Sequence, residues 1–337
     1  MFQHLRACFW LLLLTVMICS VLYPLGLWAV GQSVFSHRAQ GGLLDAKGES
    51  TSSPEKAVGA HLIAQPFGGD GFFQPRPSAA SYNASASGAS NWGPSNPLLR
   101  DRVARQLGPL VKYRGGSKKG QPVGPDIDAW FTSKPGIVAQ WANAHPAAAT
   151  AWVKADKLNT DYVALWQKDH PEEVAQWVKD NPGTPEPKPE DLAVPFFVGY
   201  SQANPGTFPA TVEHKGADGK FEKRMEPVKE GPDVQGAFFD LWLQDHPDAD
   251  LEPVPADMVM ASGSGLDPHI TLKNALYQLD RVAAKWATET KRDPAEVGKE
   301  IEAILRSKKE APLMGLAGLD LVNVLEVNLA VRQRYAP

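Results

Sequence analysis

The sequence predicts an α+β fold attached to one N-terminal transmembrane helix, with a helical Trp/Pro-repeat subdomain inserted in the middle of the soluble part. Three observations predict this arrangement. The chain begins with a long apolar stretch without charge. Its soluble part mixes Gly- and Pro-rich segments, typical of short strands and turns, with periodic helical segments that do not alternate as βαβ units. A repeat of Trp and Pro recurs in the centre of the chain.

The first predicted element is a transmembrane helix. No charged residue occurs from Ala7 to Val30. At ~1.5 Å per residue, about two dozen residues reach roughly 36 Å, enough to cross a hydrocarbon core of ~30 Å. Arg6 lies just before this stretch, which favours a cytoplasmic N-terminus and an exterior, periplasmic position for the main domain. A cleaved signal peptide is the alternative, although no clear small-x-small cleavage site follows the stretch.

Residues 59–100 are rich in Gly, Ser, Pro and Asn, which is typical of short strands and ordered loops. A helix is expected to begin at Asn96 and Pro97 and to continue to Leu107, because apolar residues recur there at helical spacing. The arginines of this helix are expected to be solvated; they are Arg100, Arg102 and Arg105.

A repeat marks the middle of the chain. Trp stands five residues before Pro at Trp130, Trp141, Trp166, Trp177 and Trp242. Since the residue before a Pro avoids the α region, each repeat predicts a short helix that ends before a Pro, which then begins the next helix. The tryptophans are interpreted as the core of a small helical subdomain, and the alternative is an exposed surface that stacks on sugars.

Three histidines also precede a Pro within the repeat, namely His145, His170 and His246. They are interpreted as capping or spacing positions rather than metal ligands, because the neighbouring sequence has no carboxylate or Cys at ligand spacing.

The C-terminal part predicts a strand at residues 258–260, a Gly-rich turn and then a helix with Thr271 as its N-cap. Asp293 and Pro294 predict the start of a second helix. A strand is expected over residues 321–325, followed by a short end piece.

Composition adds few constraints. The net charge of −4 gives no basic field that would favour nucleic acid. Both cysteines, Cys8 and Cys19, lie in the apolar N-terminus, so the soluble part has no possible disulfide. The sequence contains no Walker A motif, no nucleophile elbow and no Asp-Lys-Thr-Gly phosphorylation motif. It therefore predicts a chain that is not a catalyst by itself.

Four sequence blocks in a fixed order carry a family resemblance. The first joins Gly31-Gln32, Leu62-Ile63 and the segment from Gln65 to Ala79, and the second joins Tyr82-Asn83 and the segment from Ser87 to Pro97. The third runs from Ser262 to Thr271, and the fourth from Val322 to Ala330. With them, the chain resembles the C subunit of the Kdp potassium-transporting ATPase, the KdpC family. The resemblance covers residues 1 to about 110 and about 255 to 335. It divides the chain into a cytoplasmic tip and transmembrane helix (1–34), a KdpC-like domain (35–112 and 255–337), and an inserted repeat region with Pro-rich linkers (113–254).

The resemblance implies an accessory, non-catalytic, single-pass subunit of the inner membrane. Its implied partners are a potassium-binding, channel-like subunit and a P-type ATPase subunit, together with the lipid bilayer. It also implies a catalytic-chaperone role that raises the ATP affinity of the ATPase subunit, with Gln278 and Arg281 as the candidate nucleotide contacts. No firmly bound cofactor or metal is expected; ATP would act at the level of the complex, and partner subunits would handle potassium. The alternative function is a membrane-anchored envelope module that binds polysaccharide or peptidoglycan through the Trp-rich insertion.

The resemblance also marks a set of motif residues that are expected to maintain the domain structure or to contact partner subunits. They are Arg76, Pro77, Ser78, Asn91, Ser262, Gly263, Gly265, Leu266, Asp267, Pro268, His269 and Asn323.

Overall fold

Helices and short strands are mixed along the chain, which confirms the predicted α+β class. The computed structural model describes residues 2–215, 221–316 and 318–336. The helices are α1 (Phe2–Val34), α2 (Ser36–Ala39), α3 (Pro97–Leu107), α4 (Gly124–Thr132), α5 (Ile137–Ala144), α6 (Pro146–Ala155), α7 (Lys157–Asp169), α8 (Pro171–Asp180), α9 (Ala193–Ala203), α10 (Pro232–Asp245), α11 (Ala256–Val259), α12 (Leu272–Thr290), α13 (Pro294–Ser307) and α14 (Val324–Tyr335). The strands are β1 (Leu43–Asp45), β2 (Ala57–Ala60), β3 (Phe208–Lys215), β4 (Phe221–Val228), β5 (His269–Thr271), β6 (Lys309–Glu310) and β7 (Leu321–Asn323).

The chain divides into two units. The first contains residues 1–90 and 255–337, and the second contains residues 91–254. The predicted insertion, 113–254, lies within the second unit, which also includes α3.

Helix α1 suits the predicted transmembrane segment. It is 33 residues long, its most apolar window has a mean hydropathy of 2.2, and no residue of that window is buried. Within the described ranges it is the one helix long and apolar enough to cross a membrane. A π-helical stretch (Met17–Leu22) interrupts it just before Pro24, which has no N–H to donate.

The first unit contains two small antiparallel sheets. Strands β1 and β2 pair with each other, and β7 lies between β5 and β6. Helices α12 and α13 begin at the predicted caps: Thr271 Oγ1 accepts from Asn274 N at 3.0 Å, and Asp293 Oδ1 accepts from Ala295 N at 3.3 Å. Their apolar faces enclose the core of the unit, which includes Phe73, Ile270, Ala275, Val282, Val297, Ile301, Leu305, Val322, Val327 and Val331.

Two predictions for this unit are wrong. Residues 258–260 do not form a strand, because the chain makes one helical turn, α11, after Pro255. The carboxylate of Asp257 in this turn accepts hydrogen bonds from Thr271 and Asn274, which ties the turn to the start of α12. The C-terminal strand ends at Asn323 rather than residue 325, because the Asn323 side chain accepts from Glu326 N and begins the helix α14.

The second unit confirms the helical interpretation of the repeat. His145, His170 and His246 each leave the α region, with φ near −130° and ψ near 58°, just before a Pro. Pro146 and Pro171 then begin the next helix, as predicted, whereas no helix begins at Pro135, Pro182 or Pro247. Of the repeat tryptophans, Trp141 and Trp242 are buried in the core of this unit and Trp130 and Trp166 pack against it, as the core interpretation requires, whereas Trp177 is partly exposed. Strands β3 and β4 pair antiparallel, and Phe208, Met225 and Val228 from these strands pack in the same core.

Candidate functional site

The motif residues of the first unit come from two distant stretches of sequence that interlock. Backbone hydrogen bonds join Ser262 N to Pro77 O (3.0 Å) and Ala64 N to Leu266 O (2.9 Å). Ser78 Oγ donates to the carbonyl oxygen of Gly265 at 2.6 Å. The Gly-rich segment and the Arg-Pro-Ser segment are therefore one structural element, although almost two hundred residues of sequence separate them.

Gly265 is required at the centre of this contact. Its φ is +71°, a backbone conformation that side chains other than Gly rarely adopt. A Cβ placed there would lie 2.8 Å from Gly88 O and 3.0 Å from the Cβ of Ala80. Gly263 differs, since a Cβ there meets no atom within 4 Å. The two motif glycines thus have different roles, and close approach explains only Gly265.

An ion-pair cluster lies beside the interlocked segments. Arg76 Nη1 donates to Asp267 Oδ2 at 3.3 Å, and Arg76 Nη2 donates to Ala261 O at 3.4 Å. Asp267 Oδ1 also accepts from the backbone N–H of His269 at 3.0 Å and lies 3.3 Å from its Nδ1. Asp267 therefore stabilises the local turn and also forms the ion pair with Arg76.

The Asp267–His269 contact shifts both titrations. Hydrogen bonding to Asp267 raises the pKa of His269, although burial opposes this. Hydrogen bonding from His269 lowers the pKa of Asp267. The raised His269 pKa gives a stabilisation that is complete below the ordinary His pKa of about 6.5 and is lost as the pH rises through the raised pKa. The Asp267 contribution is present above its ordinary value and is lost as the pH falls through the lowered pKa.

Sequence reasoning missed a second pair next to this cluster. His61 Nδ1 lies 2.9 Å from Glu326 Oε1, and the rings of His61 and His269 meet edge to face with centroids 6.4 Å apart. Asn323 Nδ2 donates to the carbonyl oxygen of His61 at 2.7 Å, which gives this motif residue a second function besides its helix cap. The Asn-x-x-Glu spacing of Asn323 and Glu326 is the sequence signal that marks this position.

Amide side chains replace a missing strand partner along residues 70–76. Gln278 Oε1 accepts from Gln74 N at 2.8 Å, and Gln278 Nε2 donates to Gln74 O at 3.0 Å. Asn328 makes the same pair of bonds to Phe73, at 2.8 Å to N and 2.9 Å to O. Each amide thus supplies one acceptor and one donor, as a neighbouring strand would. The sequence placed Gln278 on the polar side of its helix, but the side chain is buried.

The two candidate nucleotide contacts are both used inside the domain. Gln278 Oε1 also accepts from Arg281 Nη2 at 3.0 Å, and Gln278 Nε2 also donates to Asn274 at 2.8 Å. Arg281 donates to the carbonyl oxygens of Asp70 (2.8 Å) and Phe72 (3.0 Å), and burial lowers its pKa. Both acceptor sites and both N–H groups of Gln278 are therefore occupied. A nucleotide role for these two residues stays a prediction.

The remaining motif residues lie in different places. Pro268 is buried and its carbonyl oxygen accepts from Val324 N at 3.0 Å. Asn91 belongs to the second unit, where it is exposed with a left-handed φ of 54°. Except for Asn91 and the exposed Gly263, the motif residues form one hydrogen-bonded framework in the first unit.

The fold and this framework define an α+β domain with one candidate membrane-spanning helix, in which two distant motif segments interlock. The family model for the K+-transporting ATPase, c chain (KdpC), matches residues 5–137 and 234–333, which include all of these motif residues. The chain belongs to this family.

Individual relatives agree with the family match. The chain is 41% identical over 117 residues to the potassium-transporting ATPase KdpC subunit of Pseudomonas putida, which is 34% of this chain and 60% of the relative. The same subunit of Pseudomonas aeruginosa is 42% identical over 106 residues, 31% of this chain and 54% of the relative. That of Methanosphaerula palustris is 42% identical over 95 residues, 28% of this chain and 48% of the relative. The chain thus spans about half to three fifths of the length of the relatives that it matches.

Proposed function

We propose that this chain is an accessory, non-catalytic subunit of an ATP-driven potassium import complex. The observation that carries the proposal is the framework of the first unit, because the family's matched segments supply the residues that interlock there. The named relatives are subunits of potassium-transporting ATPases. The partners would be the potassium-binding, channel-like subunit and the P-type ATPase subunit, which would handle potassium and ATP respectively.

The apolar helix supports a place in the cytoplasmic membrane. Helix α1 is long enough to span the bilayer once, and Arg6 near its start favours a cytoplasmic N-terminus. In this orientation both units lie on the exterior side, away from cytoplasmic ATP. An effect of the chain on ATP affinity would then pass through subunit contacts, in the manner of a catalytic chaperone.

The geometry of Gln278 also favours an indirect effect on ATP. A direct nucleotide contact would have to break bonds that hold residues 70–76 in place. In the assembled complex, we expect Gln278→Ala to reduce the yield of complex while leaving the KM for ATP of the complex that forms unchanged. Gln176→Ala, which removes an exposed amide of α8, is the matched control. A raised KM for ATP in fully assembled Gln278→Ala complex would favour direct contact instead.

Purification of the full-length chain from its own membranes in mild detergent tests the assembly. We expect a large P-type ATPase and a polytopic partner to co-purify, with potassium-stimulated ATPase activity. Loss of the gene should abolish growth at limiting potassium and leave growth at high potassium unchanged. A chain that purifies alone, together with unchanged growth at limiting potassium, would refute the proposal.

A further inference from the structure

One histidine of the repeat behaves differently from its two counterparts. His170 and His246 stack on the Trp four residues earlier, with ring centroids 4.8 and 4.6 Å apart. The Nδ1 atom of each lies 2.9 and 2.8 Å from the carbonyl oxygen of that Trp, so it donates a hydrogen bond. His145 has the same place in the sequence, but its Nδ1 lies 2.7 Å from Nη2 of Arg100 and 3.5 Å from Asp101 Oδ1. The His145 ring therefore contacts charged side chains instead of the carbonyl oxygen of a Trp.

His145 belongs to a buried group of metal-ligand type. Asp101, His145 and Asp240 each offer one ligand atom, and these atoms lie within 4.8 Å of one another; no second such group occurs in the part of the chain that the structure describes. The side chains are 7%, 5% and 19% exposed, respectively. They come from α3, from the α5–α6 junction and from α10, so local sequence spacing gave no sign of the group.

The guanidinium of Arg100 lies among the three ligand atoms, where a bound metal ion would lie. It lies 3.0 Å from Asp101 Oδ1 and 3.1 Å from Asp240 Oδ2, in addition to its contact with His145. Because Arg only donates, Nδ1 of His145 must accept and its proton must reside on Nε2. The Nδ1 lone pair is thus directed at the cation, as the lone pair of a metal-binding histidine is directed at its metal ion. The Arg100 side chain is 52% exposed and has room to leave.

The charge balance around Asp101, His145 and Asp240 favours a cation of higher charge than a guanidinium. Three carboxylates, those of Asp101, Asp233 and Asp240, line one cavity together with Arg105. Arg100 and Arg105 together supply two positive charges to these three carboxylates. With a divalent ion in place of Arg100, the three negative charges are balanced by the ion and Arg105.

The second nitrogen of His145 gives an independent sign of a ligand. Nε2 is buried and has no hydrogen-bond partner. The imidazole lines a cavity of about 30 Å³, which also contacts Trp141, Trp152 and Phe208. A histidine that binds a metal normally donates its other N–H to a second partner, and a cavity of this size holds a water molecule in that role.

We propose that Asp101, His145 and Asp240 bind a divalent transition-metal ion of the Zn²⁺ or Mn²⁺ class in exchange for the guanidinium of Arg100. One imidazole and two carboxylates suit these ions. The bound ion links α3 and α10 to the α5–α6 junction. His145 lies in residues 138–233, which the family model does not match, and the site is independent of the proposed transport function.

Calorimetric titration of the chelator-treated, full-length chain in mild detergent, with ZnCl₂ and separately with MnCl₂, tests the site. We expect one ion per chain. Arg100→Gln removes the competing cation and should tighten metal binding at least about tenfold. If Arg100 only stabilises the fold and the group is not a metal site, this variant should bind no metal. His145→Gln and Asp240→Asn should each weaken binding more than about 100-fold.

His246→Gln is the matched control, because His246 has the same position in its repeat but contacts a backbone carbonyl and a Trp ring. Its metal affinity should equal that of the wild type. Absence of stoichiometric binding in both the wild type and Arg100→Gln would overturn the proposal, as would equal loss in His145→Gln and His246→Gln. If Arg100→Gln fails to fold, Arg100→Ala replaces it in the same comparison, and circular dichroism establishes which variants are folded.

Discussion

Replacing Asn328 by Ala should uncouple the segment around Phe73 from the core of the first unit. The Asn328 amide is the partner of both backbone polar groups of Phe73, at 2.8 and 2.9 Å. Phe73 is 1% exposed, so water does not reach these groups once the amide is gone. The substitution therefore leaves one buried N–H and one buried C=O without a partner.

The magnitude follows from the cost of such groups. A buried donor or acceptor left unpaired costs about 1–3 kcal/mol, so the two together cost about 2–6 kcal/mol. Since 1.4 kcal/mol corresponds to a factor of ten, even the lower value accelerates exchange of the Phe73 amide by more than about tenfold. Gln333 lies exposed on the same helix, α14, and Gln333→Ala should change stability by less than about 0.5 kcal/mol.

Hydrogen exchange followed by mass spectrometry measures this effect on the peptide that contains residues 70–76. We expect Asn328→Ala to lose protection in this peptide and Gln333→Ala to retain it. Unchanged protection in Asn328→Ala would show that the Asn328 amide does not act as a strand partner for Phe73. The same role would then be refuted for Gln278, because its contacts with Gln74 are of the same kind.

Three further results are expected. Gly265→Ala should lower the free energy of unfolding by more than about 1 kcal/mol, because φ at this position is +71° and the new Cβ would lie 2.8 Å from a carbonyl oxygen. Gly263→Ala should have little effect, because a Cβ there meets no atom within 4 Å. Equal thermal midpoints of the two variants would contradict this. His269→Asn should destabilise the chain most near pH 5–6 and progressively less as the pH rises through the raised pKa of His269. Denaturant midpoints of the variant and the wild type, measured from pH 5 to 9, test this trend. A difference in stability that does not depend on pH would exclude the Asp267 contact as its cause. Leu13→Arg places a charge in the middle of α1 at a cost of about 2.5–3.5 kcal/mol, so carbonate extraction should release it while Leu13→Ala stays with the membrane; full retention of Leu13→Arg would argue against a spanning helix.

Features that depend on local sequence were predicted correctly. Thr271 and Asp293 start helices as expected, because a cap satisfies backbone N–H groups only two or three residues away. The helix breaks at His145 and His170 were also predictable, since a Pro restricts the residue before it. The error at the C-terminal strand was avoidable, because Asn323 with Glu326 three residues later is itself a capping pattern.

The framework of the site was not predictable in detail, because its bonds join residues that are distant in sequence. The periodicity of α12 places Gln278 among polar positions, and only the course of residues 70–76 makes that position buried. The motif blocks were recognisable one by one, but the pairing of Ser78 with Gly265 depends on how two loops meet. Sequence patterns thus identified the motif segments, and tertiary packing determined the contacts between them.

The repeat histidines show why spacing alone is a weak guide to ligand sites. No carboxylate stands near His145 in the sequence, whereas Asp169 and Asp245 directly precede His170 and His246, whose rings nevertheless stack on Trp. His145 differs because α3 and α10 bring Asp101 and Asp240 to it. These carboxylates hold the guanidinium of Arg100, which donates to Nδ1 of His145, so the imidazole turns toward Arg100 instead of stacking on a Trp. Identical local motifs therefore acquire different functions when long-range packing changes the charge around one of them.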